Sequence, residues 1–390
     1  MVHSKKHICF FIPYAIGLFD SGSKVPFGGA ELRSVNFANG LKSLGFKISF
    51  IVFDANQDAV LCYEDIKVYK HSFYQLDEFK PENNKQVKSM PERISAKIRS
   101  LLFSDEAIKK YNKEKVLKDV NADLYCSFEI SNASLEVLEF CKKKNKKYFH
   151  FISSDEELSS TFADSEINRF GRTKNLTASI LENSSLVFVQ NKFQQLNAKK
   201  IFTTESVIIK NPIVIQKKFN SEIKYILWVG KDNEVKQPAL FIELAKALPQ
   251  YQFRMVFNSI SQQRRSEIAD LKINNLEIAS NIPAETIESY FAASCLLIST
   301  SLFEGFPNTF LQAGKYGVPV ISAEINPDMF ITEFNCGKVV SRDMQNLKNA
   351  TEELMNDSAL YNECSRNIMA YVKANHDVAV ICQNLAEKFQ

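Results

Sequence analysis

The sequence has little of what marks several common site chemistries. Among 390 residues there are one tryptophan and five histidines, and no two cysteines stand in C-x-x-C spacing. No H-E-x-x-H occurs, so a helical zinc site has no support. G-x-G-x-x-G, the Walker phosphate loop and G-x-S-x-G are all missing, which removes the main argument for dinucleotide, P-loop and α/β-hydrolase sites. D-x-D is missing too, which agrees with chemistry that needs no metal. Charge of one sign is also lacking: 48 Lys+Arg against 45 Asp+Glu leave +3, far from the basic face of a nucleic-acid binder. No apolar run approaches the ~18 residues needed to span a bilayer.

What is present is an ordinary apolar content of 45% and eight scattered cysteines. Most of the cysteines lie in apolar runs such as Ile8-Cys9-Phe10, which reads as a reducing, cytoplasmic setting rather than a disulfide framework. The apolar stretch Ile8–Phe19 follows Lys5-Lys6 and mimics a signal peptide, but Pro13 and Gly17 interrupt it; a buried first strand is the preferred reading. Short apolar runs alternate with amphipathic stretches along the chain. Strands are expected at His7–Pro13, Phe46–Asp54, Ile66–His71, Asp123–Glu129, Tyr148–Ser153, Leu186–Gln190 and Ser206–Lys210. After Asn211-Pro212 the pattern restarts, with strands at Tyr225–Gly230, Gln252–Phe257, Leu276–Ala279, Cys295–Thr300, Pro319–Ser322 and Gly337–Val340. Helices expected between them include Ala30–Leu44, Ile167–Asn183 and Asn308–Tyr316. Continuous apolar strands separated by helices mean parallel sheets covered on both faces, hence an α/β chain of two doubly wound, Rossmann-like domains. The domains are placed at 1–212 and 213–390, with Pro212–Ile223 as linker. Ala359–Gln390 is expected to be helical throughout, and its end, about 375–390, to cross back to the first domain.

Two segments break the pattern. Ser72–Lys118 is polar and basic, with 11 Lys/Arg against 5 Asp/Glu from Lys80 to Lys118, and Lys142–Lys147 holds five lysines in six residues. Either is a solvated face or a contact for an anionic membrane or charged acceptor.

Three constellations carry chemistry. Glu304-Gly305-Phe306-Pro307-Asn308-Thr309 follows a buried strand and opens a helix, the place where open α/β sheets bind ligands. Gly305 permits close backbone approach, and Pro307 presets the first turn. The N–H groups of Asn308, Thr309 and Phe310 are expected to face an anion, Gln312 a ribose hydroxyl, and Glu304 the group attached beyond. At the head of the second domain, Lys231 just past a strand and Lys236 just before a helix can converge on a diphosphate and stabilise it as a leaving group. Near the start, Gly28-Gly29-Ala30-Glu31 lets backbone N–H groups approach phosphate or sugar. After the strand Tyr148–Ser153 comes a polar cluster that includes His150 and Asp155; His150, inside the strand, reads rather as a satisfied core residue.

In order and spacing these constellations resemble glycosyltransferase family 4, retaining enzymes of the GT-B fold, over nearly the whole chain. The resemblance is most specific at Glu304–Ala313 followed by Gly317-Val318-Pro319-Val320. It implies two Rossmann-like domains facing a cleft, the first holding the acceptor and the second a nucleotide-diphospho-sugar, UDP- or GDP-linked, with no further cofactor and no metal. It assigns Glu304 to the donor sugar, Gln312 to the ribose, Lys231 and Lys236 to the diphosphate, and the neighbourhood of Ile282 to the base. Gly28, Gly29, Gly305, Phe306, Asn308 and Thr309 complete the donor set, and Glu304, Asp155 and His150 are the catalytic candidates. The implied partners are a glycan or lipid-linked glycan, with peripheral contact to an anionic membrane left open and no nucleic acid. Two positions depart from the family: Gln312 stands for a glutamate and Lys231 for an arginine. A weakly active or inactive nucleotide-sugar binder and a GT-B epimerase remain the alternatives.

Overall fold

The computed structural model describes residues 6–20, 22, 23, 25, 27–54, 59–72, 105–159, 161–215 and 225–389. Residues 73–104 of the basic segment and 216–224 of the expected linker lie outside the described residues. The chain divides into two compact units: Met1–Ile152, Ser160–Phe188 and Ala198–Val207 form the first; Ser153–Ser159, Val189–Asn197 and Ile208–Gln390 form the second.

The first unit is built on an eight-stranded sheet of β1 (His7–Phe11), β2 (Lys47–Phe53), β3 (Ala59–Tyr63), β4 (Ile66–His71), β5 (Leu124–Ser127), β6 (Lys147–Phe151), β7 (Leu186–Val189) and β8 (Ser206–Ile208), in the order β3-β4-β2-β1-β5-β6-β7-β8. Apolar runs such as Lys47–Phe53, buried at every position after the first, fit parallel strands covered on both faces. An all-parallel sheet is nevertheless not what forms. β3 pairs antiparallel with β4 through a two-residue turn, in which Glu64 and Asp65 take φ of 44° and 67°. Positive φ at both central residues is the hairpin geometry whose twist matches paired strands. Glu-Asp replaces the usual Asn-Gly there, so the strand is not visible in the sequence. The helix expected from Ile167 starts only at Lys174, capped by Thr173 Oγ1 on the Leu176 N–H at 3.2 Å. Ahead of it, Asn168 Oδ1 accepts from the N–H groups of Phe170 and Arg172, and Gly171 takes φ 72°, folding 167–173 into a closed turn.

The second unit carries β9 (Tyr225–Gly230), β10 (Phe253–Phe257), β11 (Leu276–Ser280), β12 (Ser294–Ser299), β13 (Val320–Ala323) and β14 (Gly337–Val340) in the order β11-β10-β9-β12-β13-β14, all parallel. The order reverses between β9 and β12, and the crevice beyond the carboxyl ends of that pair is where such sheets take ligands. The C-terminal stretch is not one continuous helix. Helices Ser358–His376 and Val378–Lys388 are separated at Asp377, whose Oδ1 caps the second by accepting from the Ala379 N–H at 2.8 Å. The opened backbone is satisfied by Ile213, which donates to the His376 carbonyl at 2.8 Å and accepts from the Val378 N–H at 3.0 Å.

Candidate active site

In the second unit the loops leaving β9 and β12 bring Lys236 and Glu304 together as an ion pair, with side chains 26% and 18% exposed. Both loops are fixed from below. The single tryptophan, Trp228 of β9, donates Nε1–H to Thr300 Oγ1 at 2.9 Å, and Thr300 donates to the Lys236 carbonyl at 2.6 Å. The Leu302 N–H reaches the Val235 carbonyl at 2.8 Å. Pro238 then opens the helix Pro238–Ala247, as the sequence suggests. Lys231 is exposed just past β9, its carbonyl accepting from the Asn233 N–H at 3.0 Å.

The turn Gly305-Phe306 rests on amides to which the sequence reading gave no role. Asn191 Nδ2 donates to the Gly305 carbonyl at 2.9 Å, Gln190 Oε1 accepts from the Phe306 N–H at 3.0 Å, and Asn211 Nδ2 donates to the Phe306 carbonyl at 2.9 Å. All three amide residues are at most 2% exposed. A Cβ on Gly305 would come within 2.7 Å of Gln194 Nε2 and collide with Gln190, so the close approach requires glycine. The only sequence hint of this lattice is a run of uncharged amides, Gln190, Asn191 and Gln194, at the end of an apolar strand.

The same amides hold Asp155. Its Oδ1 accepts from Asn191 Nδ2 at 3.1 Å and Gln194 Nε2 at 2.9 Å. Burial pushes its carboxyl up to about 7 against those two hydrogen bonds, and the charges of Glu304 and Asp328 push the same way. A carboxyl that titrates near neutrality beside another carboxylate is suited to proton transfer.

Several residues behave differently from the sequence expectation. His150 lies inside β6 in the first unit, fully buried, with Nδ1 2.9 Å from Ser127 Oγ; burial lowers it to about 3, so it is a neutral core residue. Phe306 offers only backbone, because its ring is 5% exposed and packs on Phe330 and His376 at 5.2 and 4.7 Å. Ile282 packs at the edge of the same apolar cluster. The helix Asn308–Gly314 has only seven residues, and its Phe310 N–H is taken by the Pro307 carbonyl at 3.1 Å. Asn308 Oδ1 accepts from Asn211 at 3.2 Å, and Thr309 follows at the helix start, half-buried. Gln312 is 5% exposed, its Nε2 3.4 Å from Glu288 Oε1. In the first unit the Gly28 N–H is already claimed by Glu31 Oε2 at 2.7 Å, so it starts the helix Gly29–Ser43 rather than facing a ligand.

Among the described residues no group of three or more His, Cys, Asp or Glu could hold a metal ion, and no helix is long and apolar enough to cross a membrane. The lysine run is largely occupied: Lys142 donates to Asn183, Lys143 pairs with Glu114, and Lys146 bonds Asn121 and the Ala122 carbonyl.

Residues 210–370 match the family model of glycosyl transferases group 1. That stretch is similar to the group 1 glycosyl transferases. The matched residues include Lys231, Lys236, Glu304 and Gln312, and the enzyme class is glycosyltransferase. A search of curated protein sequences finds no match. Among solved structures, sucrose-phosphate synthase from Thermosynechococcus elongatus is similar at TM-score 0.76 and 15% identity, covering 99% of this chain and 98% of that one. A mutant of S. aureus TarM in complex with fondaparinux, α-GlcNAc-glycerol and UDP gives 0.74 at 14% identity, covering 99% and 100%. Anabaena HepE in complex with UDP and glucose gives 0.65 at 17%, covering 98% and 99%. At such identities the likeness shows the fold, that of the GT-B glycosyltransferases, with two Rossmann-like units.

Proposed function

We propose that this glycosyltransferase is retaining and metal-independent, moving a sugar from a UDP- or GDP-linked donor to a glycan or lipid-linked glycan in cell-surface polysaccharide synthesis. The observation that carries the reading is the Lys236–Glu304 pair at the point where strand order reverses. It sets an ammonium for a diphosphate beside a carboxylate for sugar hydroxyls. Lys236, with Lys231, neutralises the charge that grows on the diphosphate as the glycosidic bond breaks, the contribution a metal makes elsewhere. Glu304 accepts hydrogen bonds from the donor sugar. Asp155, held between Asn191 and Gln194, takes up or returns a proton near neutral pH. The UDP in the TarM and HepE structures favours a uridine donor.

The test is an assay with UDP-glucose, UDP-N-acetylglucosamine and GDP-mannose against a panel of glycan and lipid-linked acceptors, with EDTA present. Acceptor-dependent release of nucleoside diphosphate, with retained anomeric configuration by NMR, supports the proposal. Nucleotide binding without release on any acceptor favours a non-catalytic binder.

A further inference from the structure

The second unit holds a charged cluster, partly buried, that the donor roles above leave unused. Lys315, its side chain 4% exposed, places Nζ 2.5 Å from Glu288 Oε2, and Tyr316 donates its hydroxyl to the same oxygen at 2.8 Å. Glu288, on the helix Ala284–Ala292, thereby has Oε2 occupied by an ion pair and a hydrogen bond. Its other oxygen, Oε1, takes Gln312 Nε2 at 3.4 Å. An amide set alone can present either its oxygen or its nitrogen to a ligand, since the two ends are nearly the same shape. A carboxylate accepts hydrogen bonds and cannot donate them, so Glu288 captures the NH2 end and turns Oε1 of Gln312 the other way. That Oε1 accepts no hydrogen bond among the described residues and is not sealed from the surface.

We propose that Glu288 is a positioning residue that commits Gln312 to present an acceptor-only face to the vicinal diol of the donor's ribose. The proposal rests on the donor-binding reading above. Lys315 and Tyr316 hold Glu288 in place, so a glutamine on the ligand side does the work of a carboxylate without placing a second negative charge near the diphosphate. An arrangement made only to fill the core would not distinguish a ribose from its deoxygenated form.

The test is titration of the full chain with UDP and GDP and with their 2′,3′-dideoxy analogues. The wild type prefers the ribose form of the nucleotide it binds. In Glu288→Gln the amide is free to flip, and that preference falls about tenfold while affinity for the dideoxy form stays put. Because Glu288→Gln strips Lys315 of its partner and can compromise folding, Gln312→Glu gives a second readout. Two facing carboxylates weaken ribose binding in that variant, and Glu288→Gln/Gln312→Glu restores it by moving the one charge across the pair. Equal losses for ribose and dideoxy nucleotides, or no rescue in the double variant, overturn the proposal while leaving donor binding intact. A wild type that binds neither nucleotide overturns the donor reading itself.

Discussion

Asn191 and Gly305 stand 114 residues apart and are joined by a hydrogen bond of 2.9 Å from the Asn191 side chain to the Gly305 carbonyl. Through the same Nδ2, Asn191 also reaches Asp155. One buried amide therefore sets both the turn that presents Glu304 and the carboxyl whose proton is shared near neutrality. Asn191→Leu leaves the Gly305 carbonyl and Asp155 short of a donor. It should cost ~1–3 kcal/mol in urea unfolding and lower turnover more than nucleotide affinity. Wild-type stability and turnover in this variant would remove the amide lattice from the account.

Glu304 and Lys236 should separate in kinetics. Glu304→Ala removes the sugar's acceptor and frees Lys236 for phosphate, so turnover falls ~100-fold or more while nucleoside diphosphate binds as well or better. Lys236→Ala should weaken both. Equal, mild effects from the two substitutions would contradict the roles assigned.

Asp155 predicts a pH signature. Its carboxyl titrates near 4 in the unfolded chain and at about 7 in the fold, so the native state holds the extra proton between those values. Its contribution to stability is complete below about 4 and is lost as pH rises through about 7. Asp155→Asn should flatten the fall in melting temperature between pH 5 and 8 and remove an activity limb near 7. An unchanged pH profile of melting and turnover would show that Asp155 does not titrate there.

Strands such as β7 and β9 were legible because each is a short, continuous apolar run, and Glu304-Gly305 because glutamate, glycine and Pro307 lie within four residues. The hairpin at Glu64-Asp65 was not, since acidic residues with positive φ carry no turn signature. Nor was the amide lattice: Gln190 meets Phe306 across 116 positions, and nothing local in either segment announces the other. Gly28 shows the opposite failure. Its motif is visible, but the carboxylate three residues on, Glu31, takes the N–H that a ligand was expected to use.

Trp228 offers an internal reporter. It is the only tryptophan, 2% exposed, and linked through Thr300 to the Lys236 backbone. Saturating nucleoside diphosphate should change its emission, and Thr300→Val should abolish the change at a cost of ~1–2 kcal/mol in stability. An emission change that persists in Thr300→Val would show that the link is not the route.

The most direct measurement is calorimetric titration of UDP and GDP into the wild type and Lys236→Ala without added metal. The account predicts binding of at least one nucleotide by the wild type, weakened about tenfold or more in the variant. Failure of the wild type to bind either, or equal affinity in the two proteins, would contradict the assignment of this site to a nucleotide-sugar donor.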